Sequence, residues 1–183
     1  DSDTFNISVE ALSDKLKKAK LINKLPKLVV PVHFSGQSCQ MKEIWDLSKE
    51  YGFKFVEDAS HALGGYYKGE RIGSCKYSHM AVFSFHPVKM ITTGEGGAIT
   101  TNNKKLDETI ALLRTHGITK DIHKFKNQSH GGWYYEQQTL GFNYRMTDIQ
   151  AALGISQLKR LNSFVEKRKE IANFYMQNLN NVL

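Results

Sequence analysis

The segment Phe83-Ser84-Phe85-His86-Pro87-Val88-Lys89 places one lysine in a polar, Pro-broken loop. An apolar run at 80–85 precedes it, and Gly94-Glu95-Gly96-Gly97 leads into a second run at 98–101. A lysine held at the mouth of a buried strand is partly desolvated, which favours the neutral amine able to attack an aldehyde. That is Schiff-base chemistry of the kind pyridoxal phosphate (PLP) requires. Lys and Arg together number 25, so Lys89 alone reads first as a surface residue of a hairpin loop. Asp58, in Val56-Glu57-Asp58-Ala59-Ser60-His61-Ala62, adds a second feature. A carboxylate there can keep a pyridine nitrogen protonated, so that the ring accepts the electron pair left when a Cα–H proton departs. A helix-capping Asp is the competing local reading. His61 is close enough in sequence to approach a ring oxygen, and Ser84 could donate to a phosphate. Each is otherwise an ordinary structural residue.

The elements that must position these groups follow from the hydrophobic pattern. A first amphipathic helix is expected at 8–20, with Ser8 as N-cap and Val9, Leu12, Leu16 and Ala19 in one stripe. Residues 27–34 read as a buried strand, and Met41, Ile44, Trp45, Leu47, Ser48 and Tyr51 mark a second helix that Gly52 is suited to end. A short strand follows at 53–57, with the loose alternation of a strand covered on both faces. Strand–helix–strand order favours a parallel sheet. Further strands are expected at 80–85 and 98–101, and helices at 103–115, 148–161 and from 162 to about 179. The polar, aromatic, His- and Gly-rich stretch 116–138 has no period, and a loop of that length is more often functional than idle. In open α/β sheets ligands bind at the carboxyl ends of the strands. Asp58 and Lys89 both follow strand ends, which puts them on one edge of the sheet.

Composition bounds the rest. A chain of 183 residues, 40% hydrophobic and 23% charged, is long enough for one domain with a sizeable core. No apolar run reaches the roughly 18 residues that span a bilayer, and no signal peptide opens the chain. The net charge of +7 raises an anion- or nucleic-acid-binding module as an alternative. The densest basic stretches, at 15–18 and 166–170, fall in helical patterns and read as solvated faces. No zinc-finger spacing or RNA-binding aromatic signature accompanies them. Cys39 and Cys75 lack CxxC spacing, so neither a disulfide scaffold nor a metal site is expected. A reducing, cytoplasmic setting is the simplest inference.

Taken in order, several motifs resemble the DegT/DnrJ/EryC1/StrS family of PLP-dependent sugar aminotransferases. They include Pro31-Val32-His33-Phe34-Ser35-Gly36-Gln37, Glu57-Asp58-Ala59-Ser60-His61-Ala62-Leu63-Gly64, Tyr67-Lys68-Gly69 and Ile72-Gly73-Ser74. The Phe83–Lys89 segment, Gly94-Glu95-Gly96-Gly97 and Gly141-Phe142-Asn143-Tyr144-Arg145-Met146-Thr147-Asp148-Ile149-Gln150-Ala151-Ala152 continue the series. The ordered combination is specific, although no single piece is.

The resemblance implies an α/β fold of the PLP fold-type-I, aspartate aminotransferase-like kind, with a mostly parallel sheet flanked by helices. Residues 1–161 would be part of the PLP-binding large domain, and 162–183 a helix linking towards a small C-terminal domain. By resemblance, Lys89 is the Schiff-base lysine and proton shuttle, Asp58 the partner of the pyridine nitrogen, and His61 the contact to the ring hydroxyl. Ser84 resembles a phosphate ligand. Asn143 resembles an asparagine reaching the phosphate of the neighbouring subunit's cofactor, which implies a homodimer with shared sites. The implied reaction converts a nucleotide-linked 4-keto-6-deoxy sugar to the 4-amino sugar with glutamate as donor, most like the transaminase of the pseudaminic acid pathway.

A sugar 3-dehydratase relative would carry His in place of Lys89. A degenerate regulatory protein would have lost Lys89 or Asp58. Two departures stand out. Gln40 replaces the Asp common before the Met, removing a helix-capping carboxylate. The chain also opens at Asp1 without Met, and the resemblance starts inside the family's large domain. A fragment, inactive by itself, is therefore expected.

Overall fold

The computed structural model describes residues 1–179. Helix α1 (Val9–Leu21) begins where Ser8 Oγ accepts the Ala11 N–H at 3.1 Å, and it buries Leu12 and Leu16. Strand β1 (Leu28–Val29) precedes helix α2 (Met41–Tyr51), which buries Met41, Ile44 and Ser48 and ends at Gly52. Gln40 occupies the N-cap of α2 and makes no side-chain cap bond, consistent with loss of the carboxylate. Strand β2 (Lys54–Asp58) is followed by a small hairpin of β3 (Tyr66–Tyr67) and β4 (Glu70–Arg71), then by β5 (Met80–Ser84) and β6 (Gly97–Thr100).

Helix α3 (Lys104–Arg114) is capped by Asn103, whose Oδ1 accepts from Leu106 N. Strands β7 (Ile118–Thr119) and β8 (Glu136–Gln137) pair antiparallel across the 116–138 stretch. Thr147 and Gln150 form a reciprocal capping box at the start of helix α4 (Asp148–Leu158), and helix α5 (Leu161–Leu179) follows. The end of the linking segment expected at 162–183, residues 180–183, lies outside the described residues.

The main sheet has the order β1-β2-β5-β6. Strands β1, β2 and β5 are parallel, and β6 runs antiparallel to β5. The helical crossover through α2 returns the chain in the same direction, whereas the link 85–96 holds no helix and simply reverses it. The fold is thus α/β with a mixed sheet flanked by helices.

The packing corrects two expectations. Strand β1 is an edge of this sheet rather than a buried strand, and Leu28, Val30 and Val32 are each more than 40% exposed. Strand β2 is covered on one face only among the described residues: Phe55 and Glu57 are fully buried, while Lys54 is exposed and Val56 and Asp58 are half-buried. On the covered face Phe53 and Phe55 meet Leu12, Leu16, Met41 and Ile44 of the two helices. Farther along, Ala59, Ala81 and Phe83 pack with Ala62, Ile72 and Cys75. Cys39 and Cys75 are both free and buried, and burial pushes the Cys39 thiol up to about 11.

Candidate active site

The register fixes the relation between the two strand ends. Asp58 lies opposite Val82, so Ser84 stands two residues farther along the neighbouring parallel strand. Side chains alternate across a strand, so Asp58, Val82 and Ser84 share the open face and Glu57, Ala81 and Phe83 the covered one. The backbone of Asp58 is clamped from the segment that follows β1: its N–H donates to Pro31 O at 2.9 Å, and its C=O accepts from His33 N at 3.0 Å. Its Oδ1 accepts from Ser60 N at 3.1 Å. Among the described residues Oδ2 makes no hydrogen bond, so it is open to a donor.

The lysine loop leaves β5 at Ser84. Lys89 N–H donates to His86 O at 3.0 Å, Thr93 N–H to Phe85 O at 3.0 Å, and Phe85 N–H to Gly96 O at 2.8 Å. These bonds fold the loop back over the strand end. A Cβ on Gly97 would stand 2.6 Å from Phe83 O, and one on Gly96 would collide with Thr93 Oγ1. The glycines are therefore required by close backbone approach. Gln150 Nε2 of α4 donates to Glu95 O at 3.0 Å and ties the far side of the loop down. Lys89 is half-buried, and its Nζ makes no ion pair or hydrogen bond among the described residues. Ser84 Oγ accepts only a long bond from His86 N, 3.4 Å, and its O–H is free to donate.

Lys89 and His61 line one cleft of about 1000 Å³, shared with Gly64, Tyr66, Asn162 and Arg168. Ser35 N–H donates to His61 Nδ1 at 3.3 Å, so the proton of the neutral ring sits on Nε2. The five residues singled out from sequence thus divide. Lys89 and His61 share the cleft, Asp58 and Ser84 stand at neighbouring strand ends, and Asn143 lies apart, on an exposed segment bridged to Thr115.

The donor set suits PLP. An amine without a partner, a carboxylate oxygen without a partner and a free hydroxyl all belong to the carboxyl edge of β2 and β5, matching an aldehyde, a pyridine N–H and a phosphate.

Sequence reasoning missed two features. Glu166, Arg168 and Lys169 of α5, read as part of a solvated helix face, are exposed as expected but also line the cleft, and Lys167 and Lys169 pair with Glu170 and Glu166. The second is a buried polar cluster, His33–Glu57–Ser78, on the covered face beneath Asp58. A glutamate at a buried parity of β2 was its one legible signal.

The model of the DegT/DnrJ/EryC1/StrS aminotransferase family matches residues 1–183. Over 166 residues the chain is 44% identical to the UDP-4-amino-4,6-dideoxy-N-acetyl-beta-L-altrosamine transaminase of Campylobacter jejuni, covering 90% of this chain and 41% of that protein. The solved structure of Helicobacter pylori PseC, an aminotransferase of pseudoaminic acid biosynthesis, superposes with a TM-score of 0.82 at 36% identity, covering 96% of this chain and 43% of that one. A putative sugar aminotransferase of Streptococcus pneumoniae in its PLP form gives a TM-score of 0.78 at 27% identity, covering 99% of this chain and 47% of that one. The chain therefore spans less than half the length of these relatives, and the cofactor of the family is PLP. With the family model matched from the first residue to the last, the chain belongs to the DegT/DnrJ/EryC1/StrS aminotransferase family.

Proposed function

We propose that the whole protein transaminates a nucleotide-linked 4-keto-6-deoxy sugar to the 4-amino sugar, with glutamate as amino donor. One observation carries this reading. Asp58 ends β2 and Lys89 follows the end of the adjacent parallel strand β5, each with an uncommitted polar atom. The transaminase of Campylobacter jejuni, so named and 44% identical, supports the sugar class.

The bound cofactor would supply an electron sink for the pair released at the reacting carbon. Lys89 Nζ would hold the cofactor through its aldehyde between turnovers and would carry a proton between the sugar carbon and the cofactor's aldehyde-derived carbon. Asp58 Oδ2 would keep the proton on the ring nitrogen, and the bond from Ser60 N holds the carboxylate in orientation. His61 Nε2–H would donate to the ring oxygen, and Ser84 Oγ–H to the phosphate. The exposed Asn143, flanked by the stacked pair Phe142 and Tyr144 at 4.9 Å, suits a role across a homodimer interface. Residues 1–161 would belong to the large domain and α5 would lead towards a second one. The two free thiols fit a cytoplasmic location, and among the described residues no helix is long and apolar enough to cross a membrane.

An anion- or nucleic-acid-binding module needs neither Lys89 nor Asp58, and a sugar dehydratase would not keep the lysine. Borohydride reduction of the PLP-loaded whole protein, followed by peptide mapping, is the test. The pyridoxyl group is expected on Lys89, and Lys89→Ala is expected to abolish turnover. A label on another lysine overturns the assignment.

The reading extends to the 183-residue chain alone, which binds PLP weakly and does not turn over sugar. Within one chain only Ser84 is assigned to the phosphate. Each charge-assisted hydrogen bond that the phosphate lacks weakens binding by about one to two orders of magnitude. Titration with PLP, read by absorbance, checks it, and tight stoichiometric binding with turnover would refute it.

A further inference from the structure

We propose that His33, Glu57 and Ser78 are positioning residues that hold Asp58 in place from the opposite face of the sheet. The proposal rests on the assignment of Asp58 above. His33 and Glu57 are fully buried and Ser78 is 5% exposed. Burying that many polar atoms is costly unless each is paired, and here each is. His33 Nε2 donates to Glu57 Oε2 at 3.0 Å, Ser78 Oγ donates to Glu57 Oε1, and Cys39 N donates to His33 Nδ1 at 3.1 Å. The Cys39 N–H requires a bare Nδ1, which fixes the tautomer with the proton on Nε2.

The bonds form a closed circuit. The His33 backbone N–H donates to Asp58 O, and Asp58 follows Glu57 in the chain. Glu57 returns through its side chain to the His33 ring. Neither the backbone nor the ring of His33 can shift without moving the peptide that carries Asp58. Ser78 joins the circuit to the segment entering β5, whose first residue, Met80, pairs with Val56. Three chain segments are thereby locked around one peptide unit, and the carboxylate they orient projects from the other face. A hydrophobic trio would fill the same volume without fixing that angle, and small misplacements of a reacting group are expensive in rate.

A second, half-buried histidine supplies the control. His79 Nδ1 accepts from Phe55 N at 3.1 Å, and its ring lies 5.0 Å from that of Trp45. It supports β2 at its middle, outside the circuit.

The experiment uses the whole protein loaded with PLP labelled with 15N in the ring, and reads the nitrogen signal, kcat and KM. In Glu57→Gln the side chain keeps its shape but accepts only one of the two bonds, and Ser78→Ala removes one donor. Each is expected to lower kcat about tenfold with KM unchanged and to move the ring nitrogen signal towards the deprotonated value. Ser78→Thr, which returns the hydroxyl, is expected to restore both. His79→Gln is expected to lower the melting temperature yet leave kcat and the signal unchanged. Should Glu57→Gln fail to fold, the Ser78 pair decides the matter. Wild-type kcat and signal in Ser78→Ala would overturn the proposal. Asp58→Asn separates the two readings. If it leaves the nitrogen signal in place, the assignment of Asp58 falls. If it moves the signal and the Ser78 and Glu57 variants do not, only the positioning circuit falls.

Discussion

The two faces of the main sheet come from the same strands and have opposite character. One face carries Pro31, His33, Phe55, Glu57, Ala81 and Phe83, and helices α1 and α2 with the 59–78 segment seal it. The other carries Val30, Val32, Asp58, Val82, Ser84 and Ile99, where Val30 and Ile99 are 48% and 46% exposed. The register aligns Asp58, Val82 and Ile99 in one row across three strands, and an isolated bridge adds Val32 to it. The proposed chemistry stands on the open face, and the apparatus that fixes its geometry lies in the sealed one. Stability and reactivity therefore reside on alternate residues of one strand, which makes them separable by single substitutions.

The sharpest way to break this division is Asp58→Asn. The change is isosteric and leaves the backbone clamp from Pro31 and His33 intact, so the sealed face should not respond. The ring nitrogen, however, loses the charge that holds its proton. A loss of about 3–5 kcal/mol in the barrier means roughly 10²- to 10⁴-fold in kcat. Steady-state kinetics and a melting curve on the same sample check both halves. Near-normal turnover would remove Asp58 from the mechanism, and a collapsed melting temperature would show that the faces are not separable.

Phe55→Ala is the converse. Its ring is fully buried among Leu16, Ile44 and Met41, and removing it should cost about 3–5 kcal/mol of stability. Val30→Ala, the same kind of truncation on the open face, should cost no more than about 1 kcal/mol. Denaturant unfolding of the pair measures the contrast directly. Equal losses would mean that the open face is packed in solution.

Much of this was legible beforehand. The Ser8 and Gly52 signals place helix ends correctly, because caps are local interactions. Asp58 and Lys89 read as neighbours because strand order and the carboxyl-edge rule require only connectivity. The failures concern partners distant in sequence. Residues 27–34 looked buried because apolar content does not say whether a second layer covers a strand. The β3–β4 hairpin and the β7–β8 pair have two-residue strands, too short for any period. His33 and Glu57 lie 24 residues apart, and nothing in either local sequence announces the other.

The 116–138 stretch lies outside both faces and offers the smallest, most local test. Its organiser is Glu136, a residue of the same type as Glu57 but with different partners. Glu57 accepts from two side chains, whereas Glu136 accepts from the amides of Lys126 and Asn127 at 2.7 and 2.8 Å, from Tyr134 Oη at 3.0 Å and from Gln138 Nε2 at 3.0 Å. Amide donors favour the charged form, and chiefly the Lys126 N–H, with Asn127 behind it, holds the Glu136 carboxyl down at about 2 against an ordinary 4.5. The folded value lies below the unfolded one. The stabilisation of the loop is therefore fully present above about 4.5 and is lost as pH falls through about 2. Amide exchange at Lys126 and Asn127, corrected for intrinsic rates, should show protection that declines across that window. In Glu136→Gln the decline should vanish, with weak protection at every pH, while exchange in β2 stays as in the wild type. A pH-independent wild-type loop would mean that the loop is held by its aromatic contacts, Phe125 with Tyr134 at 5.1 Å and Trp133 with Tyr134 at 6.1 Å, and not by the carboxylate.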